Sequence, residues 1–243
     1  MRENKKNFYI KTNRIFTQLK KYSWIFIPIV AVAGLWFPKL GLLMIPVMLA
    51  LPIFGFLKGK YWCGTICPHG SYFDGIILPI TGNKEIPSWA KSKITLLLAF
   101  SWFMYIFYSR VKASFVFWGE ISFWDKLGFV FVANYLAVTV IGTIMALSFS
   151  SRTWCRFCPM GTFQLLMYKL GKMLNLNKKT DQKIVIKEKE ACVSCKKCER
   201  VCPVQLAPYK EFDEKGLFEN EACIRCSTCI ENCPLKLLEK DIA

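Results

Sequence analysis

Long parts of this chain lack charge. Residues 127–151 contain no Asp, Glu, Lys or Arg, and a run of about 20 apolar residues already crosses a hydrocarbon core. Between residues 22 and 57 Lys39 is the only charged side chain. Acidic residues are scarce throughout, 17 against 33 basic ones. The resulting formal charge of +16 counts every cysteine as a neutral thiol, so thiolates would lower it and a nucleic-acid-binding reading is weak. Histidine occurs once, at position 69. No small-residue cleavage site closes the first apolar stretch, so no cleavable signal peptide is expected and the chain should stay in the inner membrane. Cysteine is abundant, at twelve residues. These cysteines sit beside basic flanks, on the reducing side of a membrane, where metal ligation is a stronger reading than disulfides.

The apolar stretches predict four membrane-spanning helices. Residues 22–57 read as a helical hairpin turning near Pro38-Lys39-Leu40-Gly41, with Pro28, Pro46 and Pro52 kinking helices that need packed neighbours. A single span with a re-entrant segment competes with that hairpin. Residues 94–109 and 127–151 supply the third and fourth spans. Basic residues precede the first stretch (Arg2, Lys5, Lys6, Lys11, Arg14, Lys20, Lys21) and follow the last (Lys169, Lys172, Lys178, Lys179, Lys183). That distribution predicts cytoplasmic amino and carboxyl termini. The predicted divisions are a basic amino terminus at 1–23, interfacial helix or disordered tail; a four-helix membrane domain at 24–168; a basic linker at 169–188; and a small α+β domain at 189–243.

The last division carries the strongest motif. Cys192-x2-Cys195-x2-Cys198-x3-Cys202-Pro203 returns 31 residues later as Cys223-x2-Cys226-x2-Cys229-x3-Cys233-Pro234. Three closely spaced thiolates wrap one cubane while the fourth is carried to the other. Cys192, Cys195, Cys198 and Cys233 are therefore expected to bind one [4Fe–4S] cluster, and Cys223, Cys226, Cys229 and Cys202 a second. Paired zinc sites are the competing reading, but zinc ribbons use Cys-x2-Cys units without the third regular cysteine. Val193, Val201, Ile224 and Ile230 are expected to shield the clusters, and the polar residues 204–222, with Gly216, to form a short connection.

Two further elements repeat within the apolar region. Trp62-Cys63-Gly64-Thr65-Ile66-Cys67-Pro68-His69-Gly70 resembles Trp154-Cys155-Arg156-Phe157-Cys158-Pro159-Met160-Gly161. Each follows an even-numbered span, which implies two hairpin repeats of like orientation about an axis along the membrane normal. Cys63, Cys67, Cys155 and Cys158 would then meet at the cytoplasmic face. Three readings stand for them: a third iron–sulfur centre, reversible dithiols, or loop packing.

Cys-Pro elements after membrane hairpins, joined to a tandem cysteine domain, resemble the NapH/NosR-type membrane ferredoxins over nearly the whole chain. Lys60 stands where that family carries an Arg-rich lead, and Cys155-x2-Cys158 is one residue shorter than the family spacing. The resemblance implies a membrane-bound electron-transfer subunit of an oxidoreductase, exchanging electrons between the quinone or quinol pool and a partner redox protein. The alternative is a maturation factor that reduces a metal or cysteine of a partner enzyme. No catalytic residue of its own is expected. His69, Glu120 and Trp118 are candidates for a quinol or proton site. Phe115, Phe117, Phe123 and Trp124, near Asp125, would equally form an aromatic belt.

Overall fold

The computed structural model describes residues 8–177 and 179–242. Among these residues three helices are long and apolar enough to cross a membrane: Pro38–Lys58, Lys93–Phe117 and Ser122–Ser148. Within them lie regular helices α1 (Met44–Lys58), α2 (Lys93–Ser114) and α3 (Ser122–Ser148). A fourth, α4 (Pro159–Met173), lies against α1 and α2.

The chain before Pro38 is helical only in pieces. A turn of α-helix at Gln18–Tyr22 gives way to 3-10 at Ser23–Ile25, π at Pro28–Val32 and 3-10 at Ala33–Leu35. Pro28 has no N–H to offer and crowds the preceding turn, so the hydrogen-bond register shifts around it. The first half of the predicted hairpin is thus a broken helix, and no piece of it has spanning length. It still packs as a unit, with Ile27, Val30 and Ala31 buried against Tyr135 of α3. Close approach also governs the far end, where a side chain at Gly128 would collide with the Pro38 carbonyl, so only glycine lets these backbones cross.

A three-stranded antiparallel sheet forms the carboxyl-terminal region, in the order β2 (Leu217–Phe218), β1 (Gln182–Ile186), β3 (Leu238–Ile242). Ile184 pairs with Phe218 on one side and Lys240 on the other. The central strand lies inside the stretch read as a linker: Gln182 to Ile186 alternates outward and inward side chains, and Ile184 and Ile186 enter the core. A period-2 pattern was masked there by neighbouring lysines. Residues 204–222 also do more than connect, since Val204, Leu206, Phe212 and Phe218 are all core residues.

The amino-terminal stretch differs from expectation too. Residues 8–16 hold no helix. They run extended between the sheet region and the helices, with Ile10 N–H donating to the Arg200 carbonyl (2.8 Å) and Asn83 Nδ2 to the Tyr9 carbonyl (3.2 Å). Arg2, Lys5, Lys6 and Lys178 lie outside the described residues.

Candidate metal centres

In the tandem motif the backbone repeats as faithfully as the cysteines. Ser194, Lys196 and Gln205 adopt positive φ (51°, 60° and 55°), and so do their counterparts 31 residues on, Arg225, Ser227 and Lys236 (54°, 65° and 52°). Left-handed conformations in residues other than glycine cost energy. Their recurrence at matched positions means the chain is wrapped in the same way twice, and at Arg225 the amide N–H turns toward the Cys223 sulfur. One cavity is lined by Cys192, Cys195, Cys198 and Cys233. A second is lined by Cys202, Cys223, Cys226 and Cys229. Each cavity therefore gathers three cysteines of one motif and the last cysteine of the other. Of the predicted shielding residues, Val201 and Ile224 are buried, whereas Val193 is 71% exposed and shields nothing.

The Cys-Pro elements take matching local structure despite their unequal spacing. Cys67 (φ −51°, ψ 123°) and Cys158 (φ −56°, ψ 127°) each cap a helix whose first residue is proline, a position where the missing N–H costs nothing. The amides of His69 and Gly70 turn toward the Cys67 sulfur, as those of Met160 and Gly161 turn toward Cys158. Cys63, Cys67, Cys155 and Cys158 line one cavity. Cys63 Sγ also donates to Gln164 Oε1 at 3.2 Å.

As free thiols, Cys63, Cys67 and Cys158 would be hard to ionise. Burial and then the neighbouring Cys67, Cys158 and Cys155 push Cys63 well up. Burial and Cys155 push Cys158 up to about 12. Thiolates are soft ligands that a bound metal keeps deprotonated. Sulfurs gathered on one cavity that resist ionisation alone therefore suit a metal-sulfide centre, in which iron offsets their charge. Among the described residues no three His, Cys, Asp or Glu side chains close on a single-ion site; the cysteines instead ring three cavities.

Behind these four cysteines lies a buried ionic network. Arg152 forms two hydrogen bonds with Asp74, Nε to Oδ1 at 3.0 Å and Nη2 to Oδ2 at 2.7 Å. Its Nη1 reaches the Cys63 carbonyl at 3.2 Å and Cys155 Sγ at 3.4 Å. Lys20 Nζ and Arg14 Nη1 approach the same carboxylate at 2.8 and 3.7 Å. Burial would raise the Asp74 pKa, but Arg152, Lys20 and Arg14 reverse this and hold it below the usual carboxylate range. Three cations thus face one anion beside the sulfurs. Sequence reasoning missed this network, although a signal existed: Asp74 is the sole acid between residues 4 and 84.

The three residues considered for a quinol or proton site do not meet. His69 borders the boundary cavity and bonds Thr139 Oγ1 at 2.9 Å, with burial lowering its pKa to about 4. Glu120 and Trp118 precede the first turn of α3, where Trp118 stacks on Phe115 at 5.5 Å and meets Phe123 edge-on at 4.9 Å. Residues 122 and 139 of one helix stand about 25 Å apart at 1.5 Å per residue. The aromatic residues pack on one another there, in the manner of a belt.

The helical ends that carry the Cys-Pro elements abut the sheet region. Cys63 packs against the core of that region, and a side chain at Gly64 would collide with the Ile224 carbonyl. Arg156 Nη1 donates to the Val204 carbonyl at 3.2 Å, and Gln205 Nε2 to the Lys84 carbonyl at 2.9 Å. Arg225 bridges Asp181 and the Lys58 carbonyl.

Comparison with known proteins agrees with this chemistry. The family model of a 4Fe-4S dicluster domain matches residues 184–234. A second model, a 4Fe-4S binding domain, matches residues 40–87 and 133–177, and each of those stretches contains one Cys-Pro element. Among curated proteins, uncharacterized protein MJ0750 of Methanocaldococcus jannaschii is 25% identical over 182 residues, covering 71% of this chain and 70% of that one. Uncharacterized protein MJ0749 of the same organism is 26% identical over 166 residues, covering 67% of this chain and 58%, under two thirds, of its own length. No solved structure matches. The chain is an iron–sulfur protein with [4Fe–4S] cofactors, joining a ferredoxin-like region to a region of long apolar helices.

Proposed function

We propose that this chain is a membrane-embedded electron-transfer subunit that carries electrons between the quinone pool and a partner redox protein, in the manner of the NapH/NosR-type membrane ferredoxins. The broken helix before Pro38 and the three long helices make four passes, and both termini lie on the cytoplasmic side of the inner membrane. Cys192, Cys195, Cys198 and Cys233 hold one cluster, Cys223, Cys226, Cys229 and Cys202 another, and Cys63, Cys67, Cys155 and Cys158 a third. When bound, these clusters supply one-electron chemistry.

The observation that carries the reading is the junction. The boundary cysteines lie directly beneath the ferredoxin-like region, with Gly64 against the Ile224 carbonyl and Cys63 against that region's core. Ile224 and Cys226 belong to the second tandem motif and line the cavity beside that of Cys192 and Cys195. Sulfur donors thus continue from the helices to the surface, where Cys195 is exposed. A dithiol reading accounts for neither the shared cavity nor its cationic backing.

Iron and sulfide analysis of anaerobically purified chain tests this. With four cysteines per cubane, about 12 iron atoms per chain are expected in the native protein and about 8 in a C63S/C67S/C155S/C158S variant. The native chain should also be reduced by a short-chain quinol, followed by electron paramagnetic resonance. Equal iron in the two proteins would sink the third centre.

A further inference from the structure

The boundary cavity is larger than its sulfur end. Besides the four cysteines it is bordered by Met44, Met48, Phe103, Phe107, Phe131 and Val138. Thr139, at the level of His69, and Phe131 are eight residues apart on α3, which is about 12 Å of helix. The cavity therefore runs two turns along the helices beyond the cysteines. α1 and α2 both border it, while α2 packs on α3 and α4.

Two polar groups on its wall are unanswered. Tyr135 is 7% exposed, and its Oη is buried without a hydrogen-bond partner among the described residues, as is Trp154 Nε1. A buried donor without an acceptor costs about 1–3 kcal/mol, so native proteins seldom leave one. The imidazole of His69 is 4.5 Å from the Tyr135 ring. Its Nε2 faces Thr139 Oγ1, whose own hydrogen is engaged by the Tyr135 carbonyl at 2.8 Å. Thr139 must then accept, and His69 is fixed as the donor tautomer and a wall of the cavity.

What fits is a flat, largely apolar molecule with acceptor oxygens at the end nearest the cysteines. An acyl chain suits the walls but offers nothing to Tyr135 or Trp154. A charged headgroup would meet an apolar lining in which the one cation, Arg152, is already committed to Asp74. We infer that this cavity is a quinone headgroup site, with Tyr135 Oη and Trp154 Nε1 donating to quinone oxygens and the prenyl tail leaving between α1 and α2. The inference rests on the quinone-linked reading above and sets the site at the cysteine end of α3, far from Glu120 and Trp118.

The test uses full-length chain in lipid nanodiscs, a photoreactive short-chain azidobenzoquinone, and mapping of labelled peptides. Labelling within residues 131–138 or 154–161, competed by unlabelled benzoquinone and unaffected by excess phospholipid, is expected. Tyr135→Phe, which keeps the ring, should weaken binding about 3- to 10-fold, the effect of one hydrogen bond. Val138→Trp should abolish labelling by filling the cavity. Iron content serves as the check that both variants are assembled. Saturable labelling at residues 115–125, or a Tyr135→Phe variant that binds as tightly as the native chain, would overturn the site and leave the quinone-linked reading standing. No saturable binding anywhere in the native chain would overturn both, and labelling competed by phospholipid would reassign the cavity to a lipid.

Discussion

The two ends of the sulfur-rich region use the same donors in opposite surroundings. At one end Cys195 is exposed, Val193 beside it is open to water, and Lys196 and Lys197 border the cavity. At the other, Cys63, Cys67, Cys155 and Cys158 are part-buried and share a cavity with Trp62, Trp154 and Pro159, and the nearest cation, Arg152, is fully buried. A thiolate-ligated cluster is negatively charged, and its charge must be solvated by something. Water can do this at the exposed end. A cluster at the enclosed end, as proposed above, would need its countercharge built into the fold, and Arg14, Lys20 and Arg152 around Asp74 would provide it. Solvent exposure and hydrogen bonds to sulfur both set reduction potential, so one fold offers two different surroundings: an enclosed one beside the helices and an open one at the surface.

The sharpest way to break this comparison is to remove the anion. Asp74→Ala leaves three buried cations without their carboxylate partner, and breaking a buried ion pair costs about 3–5 kcal/mol. The boundary site should collapse, with iron falling by about four atoms per chain and thermal unfolding of the solubilised protein shifting down. Cys195→Ser, at the open end, should leave the helical region intact. The pH dependence follows from the same network. Because the folded Asp74 pKa is depressed, its contribution is fully present above the unfolded carboxylate value of about 3.9 and is lost as pH falls from there through the folded value. Acidification from pH 7 to 5 should therefore leave the site unchanged. Loss of iron from the boundary site in that window would contradict the assignment.

A smaller effect is expected at the seam between the ends. Gly64 lies on the Ile224 carbonyl, and backbone cannot step aside as a flexible side chain can. Gly64→Val should cost about 1–3 kcal/mol through overpacking. Hydrogen exchange at residues 224–226 should rise while protection in α3 persists. Uniform loss of protection across both regions would mean that they fold as one unit.

The open end was legible in the sequence because its chemistry is local: regular spacing within each motif was enough to nominate eight cysteines. The positive-φ residues that wrap them carry no equally plain signal, since Lys196 and Arg225 are not typical of such positions. The enclosed end was legible only in its parts. Cys63 and Cys155 are 92 positions apart, and packing of helices, not spacing, brings their elements together. Asp74 is marked only by its isolation as the sole acid between residues 4 and 84, and nothing in the neighbours of Arg152 and Gln164 marks them. Strand β1 was hidden for another reason: Lys183 and its basic neighbours outweighed the alternation at Ile184 and Ile186. The broken helix before Pro38 reflects competition between apolar composition, which favours a span, and Pro28, which interrupts its ladder.

The smallest effect is expected at the rim of the same seam. Lys169 pairs with Glu221 at 3.0 Å and Lys172 with Glu219 at 3.4 Å, and all four side chains are roughly half exposed. Exposed pairs gain little because water screens them and long side chains lose freedom in forming them, so each is worth about 0–1 kcal/mol. Beneath them, Arg225 is largely buried and joins Asp181 to the Lys58 carbonyl, in surroundings where screening is weaker. Replacing Lys169 and Lys172 together by Ala should therefore leave hydrogen exchange at residues 224–226 within about twofold of the native chain, with any difference vanishing in high salt. Arg225→Ala should open the seam at every ionic strength, because it strands Asp181 in a buried position. If the lysine variant opened the seam as far as the arginine variant, surface charge and not the buried junction would be holding the two ends together.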